Sequence, residues 1–150
     1  MISADLAQDL ALAGLRWSPA PGDRFAIAAD GLSEVFTVSE MTVEVHDYPT
    51  GRVLGFNGTT EWALDSVTID QALWFPSEEQ LRTLLGGTFR SLVRTDADGE
   101  GRFTVMVDVR GGVEEFVAAD AAEAYGLALH SLVAAATGDV VEGQPTWPST

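Results

Sequence analysis

Pro76-Ser77-Glu78-Glu79-Gln80-Leu81-Arg82-Thr83-Leu84-Leu85-Gly86-Gly87 is the stretch on which the fold turns. Ser77 is placed to cap a helix, and Gln80, three residues on, can reach back to it as in a capping box. Leu81, Leu84 and Leu85 supply the apolar stripe, and Gly86-Gly87 stops it. The spacing therefore predicts a helix between two regions that both read as strands.

Upstream, strands are predicted near Phe25–Ala29, Glu34–Ser39 and Met41–Asp47. In the last, Met41, Val43 and Val45 alternate with Thr42, Glu44 and His46, the period of a half-buried antiparallel strand. Tyr48-Pro49-Thr50-Gly51 fits a type I turn into Arg52–Phe56, and Asn57-Gly58 fits another, so this part reads as a meander. Residues 60–75 hold Trp62, Leu64, Val67, Ile69, Leu73, Trp74 and Phe75 without one clear period, and read either as a short strand or as one helical turn.

Downstream, strands are predicted over Thr88–Arg94, Arg102–Val109 and Val113–Ala118, the last two joined by a tight hairpin at Arg110-Gly111-Gly112. Asp120, with Glu123 three residues on, opens a helix from Ala121 to about Ala136 whose Ala- and Leu-rich surface carries Gly126 at its middle. Such a helix must be buried on more than one side or pack closely on another helix. At the N-terminus, Ser3 caps Ala4–Ala13, Leu6, Leu10 and Ala13 form its stripe, and Gly14 ends it; Trp17–Gly22 is a loop. Helices segregated from runs of strands predict an α+β fold with antiparallel meander sheets packed by helices, as a single domain over 1–137 with a flexible tail over 138–150.

Composition excludes several chemistries. The 150 residues contain neither cysteine nor lysine, and eight arginines stand against 23 acids for a net charge of −15. Disulfides, thiolate metal sites, cysteine nucleophiles, Schiff bases and the P-loop lysine are all ruled out. Residues 1–75 carry three arginines and eleven acids, and 76–150 five and twelve, so the charge is spread over both halves. A field of that sign opposes approach to a polyanion, and nucleic-acid binding is not expected. Acids stand where a signal peptide has its positive region, no apolar run has the length of a membrane span, and the expected location is the cytoplasm.

Asp96-Ala97-Asp98-Gly99-Glu100-Gly101 matches an EF-hand loop at its first, third, fifth and sixth positions, which makes Asp96, Asp98 and Glu100 candidate ligands for a hard cation. The twelfth position is Val107 and the flanks read as strands, so an acidic turn accounts for the motif and no metal is expected. His46 with Glu44 beside it is the candidate acid–base pair, and His130 lies seven residues after Glu123 on one helical face. Surface histidines beside acids are common in so acidic a chain, and no Gly-x-Ser-x-Gly or HExxH spacing supports catalysis. Glu61 and Asp65 flank Trp62, but close acid pairs are inevitable here.

Trp17, Trp62 and Trp74, with Phe56 and Phe75, are core candidates; Trp62 and Trp74 become binding anchors if they sit at a rim. Arg82, Arg90 and Arg94 fall within thirteen residues that hold no acid. By period-2 spacing Arg90 and Arg94 share a strand face. They form an anion- or partner-docking patch or, as favoured, pair across the sheet with Asp108, Glu114 or Glu115.

The block Met41–Arg52, then Gly55-Phe56-Asn57-Gly58, Glu61–Ser66, Leu73-Trp74, Leu84–Phe89 and Glu123–Leu129 resembles a family of small actinobacterial proteins labelled pilus assembly protein CpaE. The resemblance spans most of 1–137 and implies a pilus- or secretion-associated role without naming a site residue. The order of elements is also similar to secretion-chaperone-like and YbjN-like folds, dimers that hold another polypeptide. The expectation is a non-enzymatic, chaperone-like binding module without cofactor, whose protein partner offers a basic or amphipathic segment. It would dimerise through the Ala-rich helix or an exposed sheet. The alternative is a small hydrolytic or ligand-binding enzyme using His46 with neighbouring acids.

Overall fold

The computed structural model describes residues 1–27, 34–38, 43–48, 51–56, 66–68 and 71–143, with side chains for all of these except 43–48, 51–56, 66–68 and 138–143. The fold is α+β, with the helices and the antiparallel sheets in separate runs of the chain. Its backbone divides into two compact units, Arg16–Pro76 and the pair Met1–Leu15 with Ser77–Thr150.

Among its described residues the Arg16–Pro76 unit has six strands and no α-helix. β1 (Arg24–Ile27) lies between β2 (Val35–Thr37) and β6 (Ala72–Phe75), while β3 (Val43–Tyr48), β4 (Gly51–Phe56) and β5 (Ser66–Thr68) make the expected meander. The stretch that had no clear period therefore contains two strands, β5 and β6. The second returns to β1 with Arg24 opposite Phe75 and Phe25 opposite Trp74. Tyr48 and Gly51 face each other at the end of the β3–β4 ladder, while Pro49-Thr50 between them and the Asn57-Gly58 turn fall outside the described set. β2 is shorter than predicted: Val38 leaves the ladder to exchange backbone hydrogen bonds with the loop, donating to Asp23 O at 2.8 Å and accepting from Gly22 N at 2.7 Å.

Trp17, Phe25, Ile27 and Val38 form the core of this unit, with Phe36, Ala72 and Trp74 packed on it. Burial of a side chain of this size contributes roughly 1.5–3 kcal/mol. Asp23 is the polar member of the interior: its Oδ2 accepts from Trp17 Nε1 at 2.9 Å and from Ala20 N at 3.0 Å, so the carboxylate closes the loop and satisfies the buried indole.

The other unit contains the three α-helices found among the described residues, α1 (Ala4–Ala13), α2 (Glu78–Leu85) and α3 (Ala121–Gly143), and the sheet β7 (Phe89–Thr95), β8 (Arg102–Val109), β9 (Gly112–Ala118) in that order. The caps read from sequence are present. Ser3 Oγ accepts from Leu6 N at 3.1 Å, Ser77 Oγ accepts from Gln80 N at 3.1 Å, and Gln80 Oε1 accepts from Ser77 N at 2.9 Å. Gly14 closes α1 at φ +117°, a left-handed conformation that glycine adopts without strain.

Asp120 Oδ1 caps α3 by accepting from Ala122 N at 3.0 Å, but Glu123 does not reach back to complete a box. Its carboxylate accepts instead from Ser3 N and Ser3 Oγ, each at 2.9 Å, tying the start of α1 to the first turn of α3. A capping box is a local preference, and a two-pronged bond to a helix cap offers the same carboxylate more.

α3 also runs past the predicted end near Ala136, through Gly143, so 138–143 are helical where a tail was expected. One interior glycine costs a helix only about 1 kcal/mol and Asp139-Val140-Val141-Glu142 carries no proline to stop it. The first half of α3 is covered within this unit: Ala121, Ala122, Ala124, Tyr125, Ala128 and Leu129 are buried and α3 packs on α1, α2, β8 and β9, whereas Ala134, Ala135 and Ala136 are exposed. Gly126 permits the α1 approach, since a Cβ there would meet Leu6 Cδ2 at 2.6 Å.

Candidate functional site

The two faces of the β7–β8–β9 sheet have different fates. Register places Leu92, Val105 and Phe116 in one row and Phe89 with Val107 in another, and Val105 and Val107 are fully buried. This is the face the helices cover. Alternation puts Val93, Thr104 and Val117 in a row on the opposite face, with Ser91, Met106 and Glu115 beside them and Asp108 opposite Val113. No helix of this unit covers that second face, where Val93, Val113 and Val117 remain 45%, 57% and 46% exposed. Leu12 and Leu84 are also exposed, but singly, on separate helices.

The arginines expected to form a patch are drawn apart. A bulge between Phe89 and Ser91 breaks the alternation on which a shared face for Arg90 and Arg94 depended. Arg90 donates to the carbonyls of Gly87 (2.9 Å) and Phe89 (3.3 Å) and to Asp108 Oδ2 (3.2 Å), whereas Arg94 sits opposite Phe103 in the ladder and donates to Asp96 Oδ2 at 2.7 Å. Arg90 thus pairs across the sheet with Asp108 as favoured, but Arg94 takes a local acid, and Glu114 and Glu115 pair with no arginine among the described residues. Both formed pairs are half-exposed, and pairs of that kind contribute at most about 1 kcal/mol. Arg82 stands on the exposed side of α2, with no ion pair among the described residues. Burial raises the Tyr125 pKa above its ordinary 10.0, Arg82 opposes the rise and Glu78 adds to it; the ring packs on Phe89 at 5.6 Å.

Asp96, Asp98 and Glu100 do not converge. Asp96 is taken by Arg94, Glu100 lies 3.6 Å from Arg102, and Asp98 turns the chain at φ +60°. Among the described residues no group of three or more acids and histidines is arranged to hold a metal. A Cβ at the Gly101 that follows would stand 3.1 Å from both Arg94 Nη2 and Asp96 Oδ1, the ends of two exposed side chains that can shift to admit it.

Trp74 is half-buried and stacked on Trp17, with centroids 6.4 Å apart and planes 12° apart. Its indole N–H is buried without a hydrogen-bond partner among the described residues. Trp62 lies outside the described residues. His46 and Glu44 stand on β3 opposite Val53 and Gly55, on one face two residues apart, and their side chains are outside the described set. His130 is half-buried on α3, and the Glu123 that shares its helical face is held by Ser3.

The residues that the sequence reading missed are Val93, Val113 and Val117. Their signal was present as alternation: in β9, Phe116 and Ala118 have one parity and Val113 and Val117 the other, so this strand carries apolar side chains on both faces although only one face is covered. Among the described residues no helix is long and apolar enough to cross a membrane. Nothing matches this chain in comparisons with protein-family models, curated proteins and solved structures.

Proposed function

We propose that the chain is a non-enzymatic protein-binding module that engages a basic, amphipathic polypeptide segment through the uncovered face of β7–β8–β9. The observation that carries this reading is the set of three exposed valines, Val93, Val113 and Val117, on one face of a sheet whose other face is packed. Apolar surface of that kind in a regular sheet marks an interaction site more often than scattered exposure does. Charge selects the partner. The chain carries −15, and Glu115 on the valine face and its neighbour Glu114 on the other side of β9 have no counter-ion among the described residues. The field therefore steers cationic segments toward the face and away from nucleic acid. The resemblance to the CpaE-labelled family makes a cytoplasmic, pilus- or secretion-associated assembly the proposed setting.

A random peptide library displayed against the immobilised chain tests this. Basic, amphipathic sequences should be enriched at about 50 mM salt and lost at about 500 mM, where the screening length is only a few ångströms. Val93→Arg, which puts a cation on this face at its β7 edge, should abolish the enrichment. Enrichment of acidic sequences, or of none, refutes the proposal.

A further inference from the structure

The open sheet has two edges, and the structure treats them differently. β7 is blunted. Its ladder is interrupted by the bulge at Phe89/Ser91, and the Arg90 guanidinium sits on the carbonyls of Gly87 and Phe89. Bulges and edge cations are the devices that keep a strand from recruiting another chain. β9 has neither. It runs seven residues in unbroken register with β8, from Gly112 opposite Val109 to Ala118 opposite Phe103, and contains no proline and no cation.

The hairpin says which β9 groups face outward. Arg110 (φ +53°) and Gly111 (φ +77°) are the two residues of the turn, both left-handed as a type I′ hairpin requires, and Val109 and Gly112 close it. The closing pair of a two-residue hairpin exchanges both of its hydrogen bonds, and bonded and non-bonded pairs alternate from there. Gly112, Glu114, Phe116 and Ala118 therefore point their N–H and C=O at β8. Val113, Glu115 and Val117 point theirs away from it, and their side chains lie on the uncovered face.

We infer that β9 accepts an extended peptide as a fourth, antiparallel strand, and that this peptide carries two adjacent basic residues between apolar ones. The inference rests on the binding-module reading and names its partner. Glu115 lies between Val113 and Val117 on the uncovered face, and Glu114 lies next to it with its side chain exposed on the other side of the strand. Opposed side chains in an antiparallel pair stand within about 5 Å. The entering strand, read N to C, places an apolar residue opposite Val117, any residue opposite Phe116, basic residues opposite Glu115 and Glu114, and an apolar residue opposite Val113. A second copy of β9 is the wrong occupant, because antiparallel pairing about the middle of the strand sets the two glutamates against each other.

The test uses the full chain and a fluorescein-labelled Ser-Val-Thr-Arg-Arg-Val-Ser peptide, read by anisotropy and by backbone amide shifts. Saturable binding is expected, with shifts at Val113, Glu115 and Val117. Replacing both arginines of the peptide by glutamate, or N-methylating the backbone of its first arginine, should each weaken binding by roughly tenfold or more, about 1.4 kcal/mol. Val117→Pro removes an outward N–H without touching the β8 ladder, and should abolish binding while preserving the helical circular dichroism. The N-methylated peptide decides the matter if that variant does not fold. Equal affinity for the parent and N-methylated peptides, or for the arginine and glutamate peptides, overturns the inference. If the N-methylated peptide still binds and Val93→Arg abolishes its binding, strand addition fails and the face reading stands. An empty library selection removes both.

Discussion

Gly126→Ala should change sign with the side chain it meets. An alanine Cβ on α3 would stand 2.6 Å from Leu6 Cδ2 and 3.4 Å from Leu6 Cγ and from Ile2 Cγ2, and both of those residues are buried. Two effects oppose each other. Removing glycine from a helix interior gains about 1 kcal/mol, whereas forcing a methyl into a packed contact costs about 1–3 kcal/mol. In the wild-type background the second effect wins, with an expected net loss of about 1 kcal/mol. Leu6→Ala alone costs about 2–5 kcal/mol as a large-to-small change in a core. In that background the Cβ enters vacated space, the contact cost disappears, and Gly126→Ala should stabilise by about 1 kcal/mol. The cycle therefore predicts a coupling of about 2 kcal/mol, well above the error of independent sites. Urea denaturation followed at 222 nm is the assay, because all three helices lie in the unit that holds this contact. If Gly126→Ala destabilises by the same amount in both backgrounds, Leu6 is not what the glycine accommodates.

Glu123→Ala removes both acceptors of Ser3 and should cost about 1–2 kcal/mol in the same urea assay, while Glu123→Gln, which keeps one acceptor, should cost less. Asp23→Ala strands the buried Trp17 N–H; a loss of about 1–3 kcal/mol together with altered tryptophan emission is expected, and unchanged emission would refute the contact. For Tyr125 the folded chain favours the neutral phenol, so its contribution is complete below pH 10.0, the ordinary value, and declines as pH rises from there through the raised folded value. Stability curves of wild type and Tyr125→Phe should therefore run parallel at neutral pH and converge above pH 10.0, the variant losing less.

What sequence could and could not disclose follows from the range of the interactions. Ser3, Gly14, Ser77 with Gln80 and the Arg110-Gly111 hairpin are encoded within a few residues of where they act, and all were legible. β6 was not, because Leu73, Trp74 and Phe75 are apolar whichever period is tried and their strand character comes from pairing with β1, nearly fifty residues upstream. The bulge at Arg90 escaped for a related reason: it shows only in the register with β8, and it cancels the spacing argument that put Arg90 and Arg94 together. Glu123 illustrates a local signal outcompeted by a distant one, since Ser3 lies 120 residues away. The uncovered face was legible in part. Alternation marked which residues of β8 and β9 share a side, and only the placement of the helices told which side they left bare.

The bond between Ser3 and Glu123 also has a consequence in time. A ribosome adding about 5–20 residues per second needs roughly 6–25 s to cross the 120 residues between them. Throughout that interval α1 is a ten-residue helix without its partner, too short to hold its shape alone. The strands of Arg16–Pro76 are meanwhile contiguous in the chain and complete as soon as Pro76 emerges. Synthesis thus delivers the later-numbered sheet and α3 to an N-terminal segment that has been waiting, and slowing translation between Pro76 and Glu123 lengthens the window in which Leu6 and Leu10 are open to a chaperone.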